Sequence, residues 1–571
     1  MKPNRCGFAR SLSAACRPVC MSSHRRVRCP QALPSFALRS IYAFRIGVRF
    51  FFLLLASVSF SSCDNGGFEG KTPYPPYDFF SMPTDKVEHY DKIINTYSKE
   101  YYVSLSGNDT NDGSLEHPFR TIQRAVDVVK EDEAVFIRGG IYEERVIIEK
   151  RGESDKLIVI RSFPNEEVVL DGKTGLGLGG TNSQGNINWE SGVIQLKGAK
   201  NIVLAGLKIV NSKTSGIYGG GVNDGTSWTK FSENIIVYKC AVEDCLASAV
   251  CFGADYSPSK NIFVIQNGVT NCAQVSREAI SLRSVDSFEI AYNNVRRVKK
   301  ESIDAKCGCK DGDIHHNIVS DVGFESSLPS CGIYLDAWAP KISGNKNENY
   351  SSGDGIQRNI KVHCNIVKNL VHANGATGIA VASEKGNNQE NIFIYNNLVY
   401  NTGAKCGAGI KIANNSDVET GLIQNVFVYN NTVYGTDQQA FYINFPNVKD
   451  IAFVNNICVN TNAPAFSLLD ENVEANVSAK RNIVGNPPRY KNNNKIISLQ
   501  DDEVKVLSQE DVESIFKNAS EEIFHLAKNS SAVDYAFEEN VNGKKCVPDT
   551  DIDGILRPKG KASDVGAYES F

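Results

Sequence analysis

Between Glu278 and Asp336 the chain sets out carboxylates, cations and a phenol at recurring intervals: Glu278, Arg283, Glu301, Asp304, Lys306, Tyr334 and Asp336, with Trp338 just beyond. One chemistry open to such a set is removal of a proton next to a carboxylate. Lys306 or Tyr334 would be the base, and Arg283 or a bound cation would neutralise the substrate carboxylate. Glu278, Glu301 and Asp304 offer the hard oxygen atoms that a calcium ion takes as ligands. A second chemistry is inverting hydrolysis by two carboxyls about 6.5 to 9.5 Å apart. Asp304 and Asp336 are the pair for it, with Asp336 the better acid because an apolar neighbour raises a carboxyl pKa. The same residues also suit a surface that binds glycan without cutting it, or a solvated face whose opposite charges pair.

These residues meet only if the elements that carry them stack. From about residue 200 a β-branched alternating run recurs, as in NIIVYKC, NIFVIQN, FEIAYNN, DIHHN, NIKVHCN and NIFIYNN. The runs close at Gly206, Cys240, Asn267, Asn294, Asn317, Asn365, Asn397, Asn431, Asn456 and Asn482, mostly 23 to 34 residues apart, with one interval of 48 that holds the polar insertion Ala339 to Asn359. Period-2 alternation, even spacing and Asn at equivalent corners predict a parallel β-helix of about ten rungs, an all-β solenoid. A barrel or sandwich would show closely spaced Asn-Gly hairpin turns, which are missing.

A second strand in each rung aligns on Val250, Ile280, Ile303, Ile333, Ile379, Ile410 and Phe441. Side chains alternate along a strand, so the residues beside these core positions form columns on the outer face. In order the pairs are Cys251/Gly253, Ser281/Arg283, Asp304/Lys306, Tyr334/Asp336, Ala380/Ala382, Lys411/Ala413 and Tyr442/Asn444. Asp304 and Asp336 then differ by one rung and two residues, or about 8 Å. Long loops (Tyr218 to Glu233, Ala339 to Asn359, Glu384 to Asn391, Asp321 to Ser330, Asn401 to Ala408) would wall these columns into a groove open to solvent. Lys411, Tyr442, Asn444, Trp228 and Trp338 are the candidate substrate contacts. A tryptophan there either stacks on a sugar ring or packs its own loop.

The opening YYVSLSGNDTNDGSLEHPFRTIQRAVD, with its short amphipathic helix behind Thr121 as N-cap, resembles the start of right-handed parallel β-helix proteins, including family 9 polysaccharide lyases. The resemblance implies a right-handed solenoid capped by that helix, and a pectate lyase-like enzyme that uses calcium. It also implies an acidic strand motif, Asp-Asp-Gly-Phe-Asp, for calcium and a lysine in Gly-Phe-Lys-Leu as base. Lys300-Glu301-Ser302-Ile303-Asp304 matches the first at its second and last acids, and Gly409-Ile410-Lys411-Ile412 matches the second. Lys411 lies three rungs from Asp304, about 14 Å, too far for one sugar. The tail DTDIDGILRPKGKASDVGAYE resembles the closing segment of exported β-helix proteins. Its Asp549-x-Asp551-x-Asp553-Gly554 begins like a calcium loop but has Gly560 at position twelve, which reads as a structural turn.

Charge and composition set the compartment. The 571 residues carry 61 Lys plus Arg against 65 Asp plus Glu, a net −4, with 42% apolar residues. That excludes a disordered chain, a multi-span membrane protein and a basic nucleic-acid binder. Residues 1–62 hold ten basic residues and no acid, so the remainder has 51 against 65, or −14. Arg45 and Arg49 precede the apolar run Phe50 to Phe60, too short for a bilayer span, and Ser61-Ser62-Cys63 follows. This resembles a bacterial lipoprotein signal, with Cys63 acylated and the protein anchored at the outer membrane; the other reading is an ordinary signal peptide. The eleven cysteines from Cys240 to Cys546 have neither CxxC nor zinc spacing, which makes most of them small buried apolar residues with room for one or two disulfides. The expected organisation is a leader (1–62), a linker (63–98), a cap with first rungs (99–200), the main solenoid with its groove (201–485) and a closing segment (486–571). The expected partner is a uronate-containing polysaccharide, met by a monomer.

Overall fold

Alternating Val, Ile and Phe positions drive this chain into three long parallel sheets wound about one apolar core. The computed structural model describes residues 77–570 except 153–155, 175–188, 224–227, 254–258, 276–277, 326–329, 338–355, 372–375, 384–386, 402–407, 414–420, 498–499 and 501. The expected leader (1–62), Cys63 and Trp338 lie outside them. The first and second sheets have 13 strands and the third 12. In a typical rung the first sheet receives a long strand such as Glu233–Tyr238, the second a short one such as Ala241–Glu243, and the third one such as Val250–Phe252. The architecture is the expected solenoid. It has more rungs than the ten Asn-marked runs because strands from Lys99–Val103 onward already pair in register.

The corner between the first and second sheets fixes the register of every rung. Asn267, Asn293, Asn317, Asn365, Asn397, Asn431, Asn456 and Asn482 form an inner ladder in which each Nδ2 donates to the next Oδ1 at 2.9 to 3.0 Å. Each of those Oδ1 atoms also accepts a backbone N–H from the preceding rung, and each Nδ2 reaches a carbonyl. Buried amide groups at the turn are thereby satisfied. The residue just before each ladder position takes a left-handed φ, for example Tyr292 at 58°, His316 at 51° and Asn430 at 51°. Asn is the side chain most at ease there, which explains the Asn-Asn pairs. One expected rung marker moves: the ladder residue is Asn293, and Asn294 faces outward, donating to Asp78 O at 2.6 Å.

The open N-terminal end is closed as expected by a helix, Ile122–Val128, whose N-cap Thr121 accepts from Arg124 N and whose Ile122, Ala125 and Val126 enter the core. A second helix, Thr84–Ile94, lies within the expected linker. Its Tyr90 and Ile94 pack on the first sheet beside Val203, Ile236 and Tyr238. In the closing segment Asp551 spends its carboxylate on backbone, accepting from Asp553 N, Ile555 N and Glu569 N at 2.8 to 2.9 Å. That is a turn-forming role. The ten cysteines among the described residues are free and buried.

The ladder makes a quantitative expectation. Asn317→Ala removes two donors and strands the Asn293 amide groups, so denaturant unfolding is expected to lose about 2 to 4 kcal/mol. Substituting the exposed Asn492, which has no left-handed φ, is expected to change stability by less than about 0.5 kcal/mol.

Candidate active site on the third sheet

The stack read from the sequence is realised pair by pair. Ser281 pairs with Asp304, Asp304 with Tyr334, Tyr334 with Ala380, Ala380 with Lys411 and Lys411 with Tyr442. Arg283, Lys306, Asp336, Ala382, Ala413 and Asn444 run alongside. Glycine before the core residue lets the rungs close up. A Cβ on Gly409 would lie 2.5 Å from Ala440 O, so only Gly fits two residues ahead of Lys411.

The columns divide into two chemically different halves. At the N-terminal half Lys306 Nζ lies 2.6 Å from Glu278 Oε1 and 2.8 Å from Asp304 Oδ2, and Ser281 Oγ donates to Glu278 Oε2 at 2.7 Å. Burial works against ionising Glu278, but the Lys306 charge and hydrogen bond and the Ser281 hydroxyl prevail and take it down to about 2. Asp304 goes the other way. Complete burial, then Glu278 and Glu301 beside it, push it up to about 8 against the pull of Lys306. Burial and the Glu278 charge raise Glu301 as well. Glu278 is the ionised partner of the ammonium and Asp304 the protonated one at neutral pH.

Two expectations are corrected here. The central columns were expected to face solvent, yet Glu278, Arg283, Asp304, Tyr334 and Asp336 are all buried, with Asp304 fully so. Stacked side chains on rungs about 4.8 Å apart cover one another and cannot each keep a water shell. Lys306 was expected as the base, with Tyr334 as the alternative. Although burial disfavours its charge, Asp304, Glu278 and Asp336 hold its pKa well above the ordinary lysine value. It therefore stays an ammonium, the charge that holds the carboxylates in place.

The calcium set does not fit either. Among the described residues the group of ligand atoms lying within 4.8 Å of one another is His316, His363 and Cys364, and the carboxylates of Glu278, Glu301 and Asp304 form no such group. The Lys306 ammonium already bridges two of them.

The C-terminal half of the columns carries no acid: Ala380, Ala382, Ala413 and Tyr442 are buried, and Lys411 and Asn444 are half-buried. Ala380, Ala382 and Ala413 make a low floor between Tyr334/Asp336 and Lys411/Tyr442/Asn444. Lys411 Nζ lies 5.9 Å from the Tyr442 ring centroid. Lys491 Nζ lies 5.5 Å from the same ring and donates to Asn444 Oδ1 at 2.6 Å. Burial lowers the pKa of Lys411, the Cys331 thiol opposes this and Lys491 adds to it; among the described residues no carboxylate acts on Lys411. Lys491, exposed at the far end, was missed in the sequence. Its signal was the alternation Arg489-Tyr490-Lys491, in which Tyr490 is buried and its neighbours face out. Of the two tryptophans, Trp228 pairs with Asn223 in a two-residue ladder, and its side chain is outside the described set.

Comparison with known proteins agrees with the frame. The family described as "Pel9A-like, right handed beta helix region" matches residues 101–279. The likeness is to this stretch alone, and the match ends at Ala279, just before the strand that carries Ser281 and Arg283. An uncharacterized protein of Bacillus subtilis (strain 168), YwoF, is 27% identical over 208 residues, 36% of this chain and 42% of that protein. Pectate lyase PEL9 of Emericella nidulans is 27% identical over 114 residues, 20% of this chain and 28% of that enzyme. The chain thus spans less than half the length of these curated relatives. The crystal structure of pectate lyase Pel9A superposes with a TM-score of 0.46 at 13% identity, covering 83% of this chain and 97% of that one. The complex of XylC with xylose gives 0.45 at 13%, covering 83% and 98%.

The buried charge cluster has a pH signature. Asp304, raised from 3.8 to about 8, adds stability that is complete below its ordinary pKa and is lost as pH rises toward 8. The loss is about 1.4 kcal/mol per pH unit for such a group. Asp304→Asn is expected to flatten the urea midpoint between about pH 4 and 8. Glu278 has the opposite sign: its contribution, present above the ordinary carboxylate pKa of 4.5, is lost as pH falls toward about 2. Lys306→Met, which strands Glu278, is expected to cost about 3 to 5 kcal/mol at neutral pH by the same measurement.

Proposed function

We propose that this protein is an exported polysaccharide-degrading enzyme that cleaves uronate-containing glycan by β-elimination, with Lys411 as the base. The observation that carries the reading is the contrast between the two lysines of the columns. Lys306 is clamped between carboxylates, whereas Lys411 is lowered chiefly by burial, and among the described residues no carboxylate acts on it. A lysine is a competent base only when its pKa approaches the working pH. The Pel9A-like region and the 27% identity to a pectate lyase support the substrate class.

In this reading the sugar lies on the alanine floor with its carboxylate toward the exposed Lys491 ammonium, which disperses the charge that builds up when the C5 proton leaves. The proton goes to Lys411 Nζ. The C5–H electron pair forms the C4–C5 double bond, the C4–O bond breaks, and the departing oxygen takes a proton from water. Tyr442, between the two lysines, offers its ring face to the sugar. Cys63, acylated after removal of the leader, would anchor the enzyme at the outer membrane and keep it near extracellular polymer.

A second reading, inverting hydrolysis by Asp304 and Asp336, is favoured by one observation: burial and the neighbouring carboxylates raise the pKa of Asp304, which exchanges the expected roles and makes Asp304 rather than Asp336 the acid.

Incubation with pectic and other uronate polymers separates the two. The expected result is growing ultraviolet absorbance from an unsaturated product, reduced at least ~100-fold in Lys411→Ala, given what a positioned base typically supplies. The wild-type rate is expected to fall at low pH as Lys411 becomes protonated. New reducing ends without absorbance, abolished by Asp304→Asn, would establish hydrolysis instead.

A further inference from the structure

Two neighbouring rungs carry a second constellation, on the corner between the first and second sheets. Asp313-Ile314-His315-His316-Asn317 and Lys361-Val362-His363-Cys364-Asn365 pair in register, His315 opposite His363. His316 and Cys364 are the left-handed corner residues of these rungs, at φ 51° and 52°. Three ligand atoms, one each from His316, His363 and Cys364, lie within 4.8 Å of one another. We propose that this corner is a metal site of the zinc class, held by two imidazoles and one thiolate, that ties the terminal segments to the solenoid.

The donor chemistry selects the ion. Nitrogen and sulfur ligands suit zinc and exclude calcium and magnesium, which take oxygen. His363 Nδ1 and Cys364 Sγ are 3.5 Å apart. Ligands on a tetrahedral zinc with Zn–N near 2.05 Å and Zn–S near 2.3 Å stand about 3.5 Å apart. The outer groups are also those of a metal centre. His363 Nε2 lies 2.8 Å from Asp313 Oδ1, so a carboxylate orients the ring whose Nδ1 faces the thiol. His315 Nδ1 meets His316 Nδ1 at 2.8 Å, and its Nε2 reaches Glu289 Oε1 at 3.0 Å. Stacking of His363 on Tyr395 at 4.6 Å and of His316 on Tyr292 at 5.0 Å fixes both ring planes. Three protein ligands leave a fourth position for water.

The place explains what the ion does. Phe80 of the N-terminal segment packs edge-on against His316 at 5.4 Å. Cys364 shares an apolar cluster with Ile552, Val565 and Ala567 of the closing segment. Asn396 donates to Thr550 O at 2.7 Å and lies 3.9 Å from Cys364 Sγ. An ion here joins rungs whose corners are 48 residues apart in sequence, where the segment around Phe80 and the closing segment pack against the solenoid.

The test uses the full chain, stripped with a chelator and dialysed against zinc or cobalt(II). One zinc per chain is expected, with a thiolate-to-cobalt charge-transfer band in the near ultraviolet, and a higher melting temperature with zinc than without. Cys364→Ser is expected to lose the band and the zinc-dependent melting shift. Asp313→Asn keeps all three ligands and is expected to weaken zinc about 10- to 100-fold, so the test survives if the serine variant fails to fold. Asp304→Asn is expected to leave uptake unchanged. Failure to take up stoichiometric metal, or uptake unaltered in both corner variants, overturns the proposal, as does loss of zinc on changing Asp304.

Discussion

The asparagine ladder at the inner corner governs the rest of the molecule. A strand has period two, so a slip of one residue in any rung would turn its outer column inward. Each ladder amide spends its groups on its own rung and the next, and the corner residue before it is held at left-handed φ. Register is thus reset once per rung. Residues as far apart as Asn317 and Asn365 become neighbours regardless of the loops between them, and each column becomes a line of side chains that any rung can alter singly.

What a column does then depends on position. At Glu278, Asp304 and Lys306 the charges are buried and mutually neutralised, which favours rigidity over contact with a polymer. Three rungs further on, small residues replace the acids and the charged groups become Lys411 and Lys491, with no carboxylate among the described residues acting on the first. Beyond residue 62 the chain carries −14, which repels an anionic polymer overall; in the proposed reading the Lys491 ammonium offsets this where the substrate would lie.

Much of this was legible in the sequence. The stack from Val250 to Phe441, the outer pairs and the capping helix behind Thr121 followed from alternation, spacing and capping chemistry, and those are local properties. Burial of Asp304 was not legible, since it depends on how neighbouring rungs cover one another. Asn293 and Asn294 exchanged roles because adjacent asparagines look alike until the corner geometry separates them. The helix Thr84–Ile94 was hidden by its short apolar stripe. The His-His and His-Cys corners escaped because 48 residues of chain separate them, far beyond the spacing of a local zinc motif, and only the register brings them together.

The central claim is that the two column lysines are opposite in character. Site-resolved NMR titration of the lysine side-chain resonances of the intact protein, assigned with Lys411→Arg and Lys306→Arg, reads this directly. The account predicts that Lys411 titrates below an ordinary lysine and Lys306 above it, and that an added oligouronate moves the Lys411 resonance first. Lys411 titrating at or above Lys306 would contradict it.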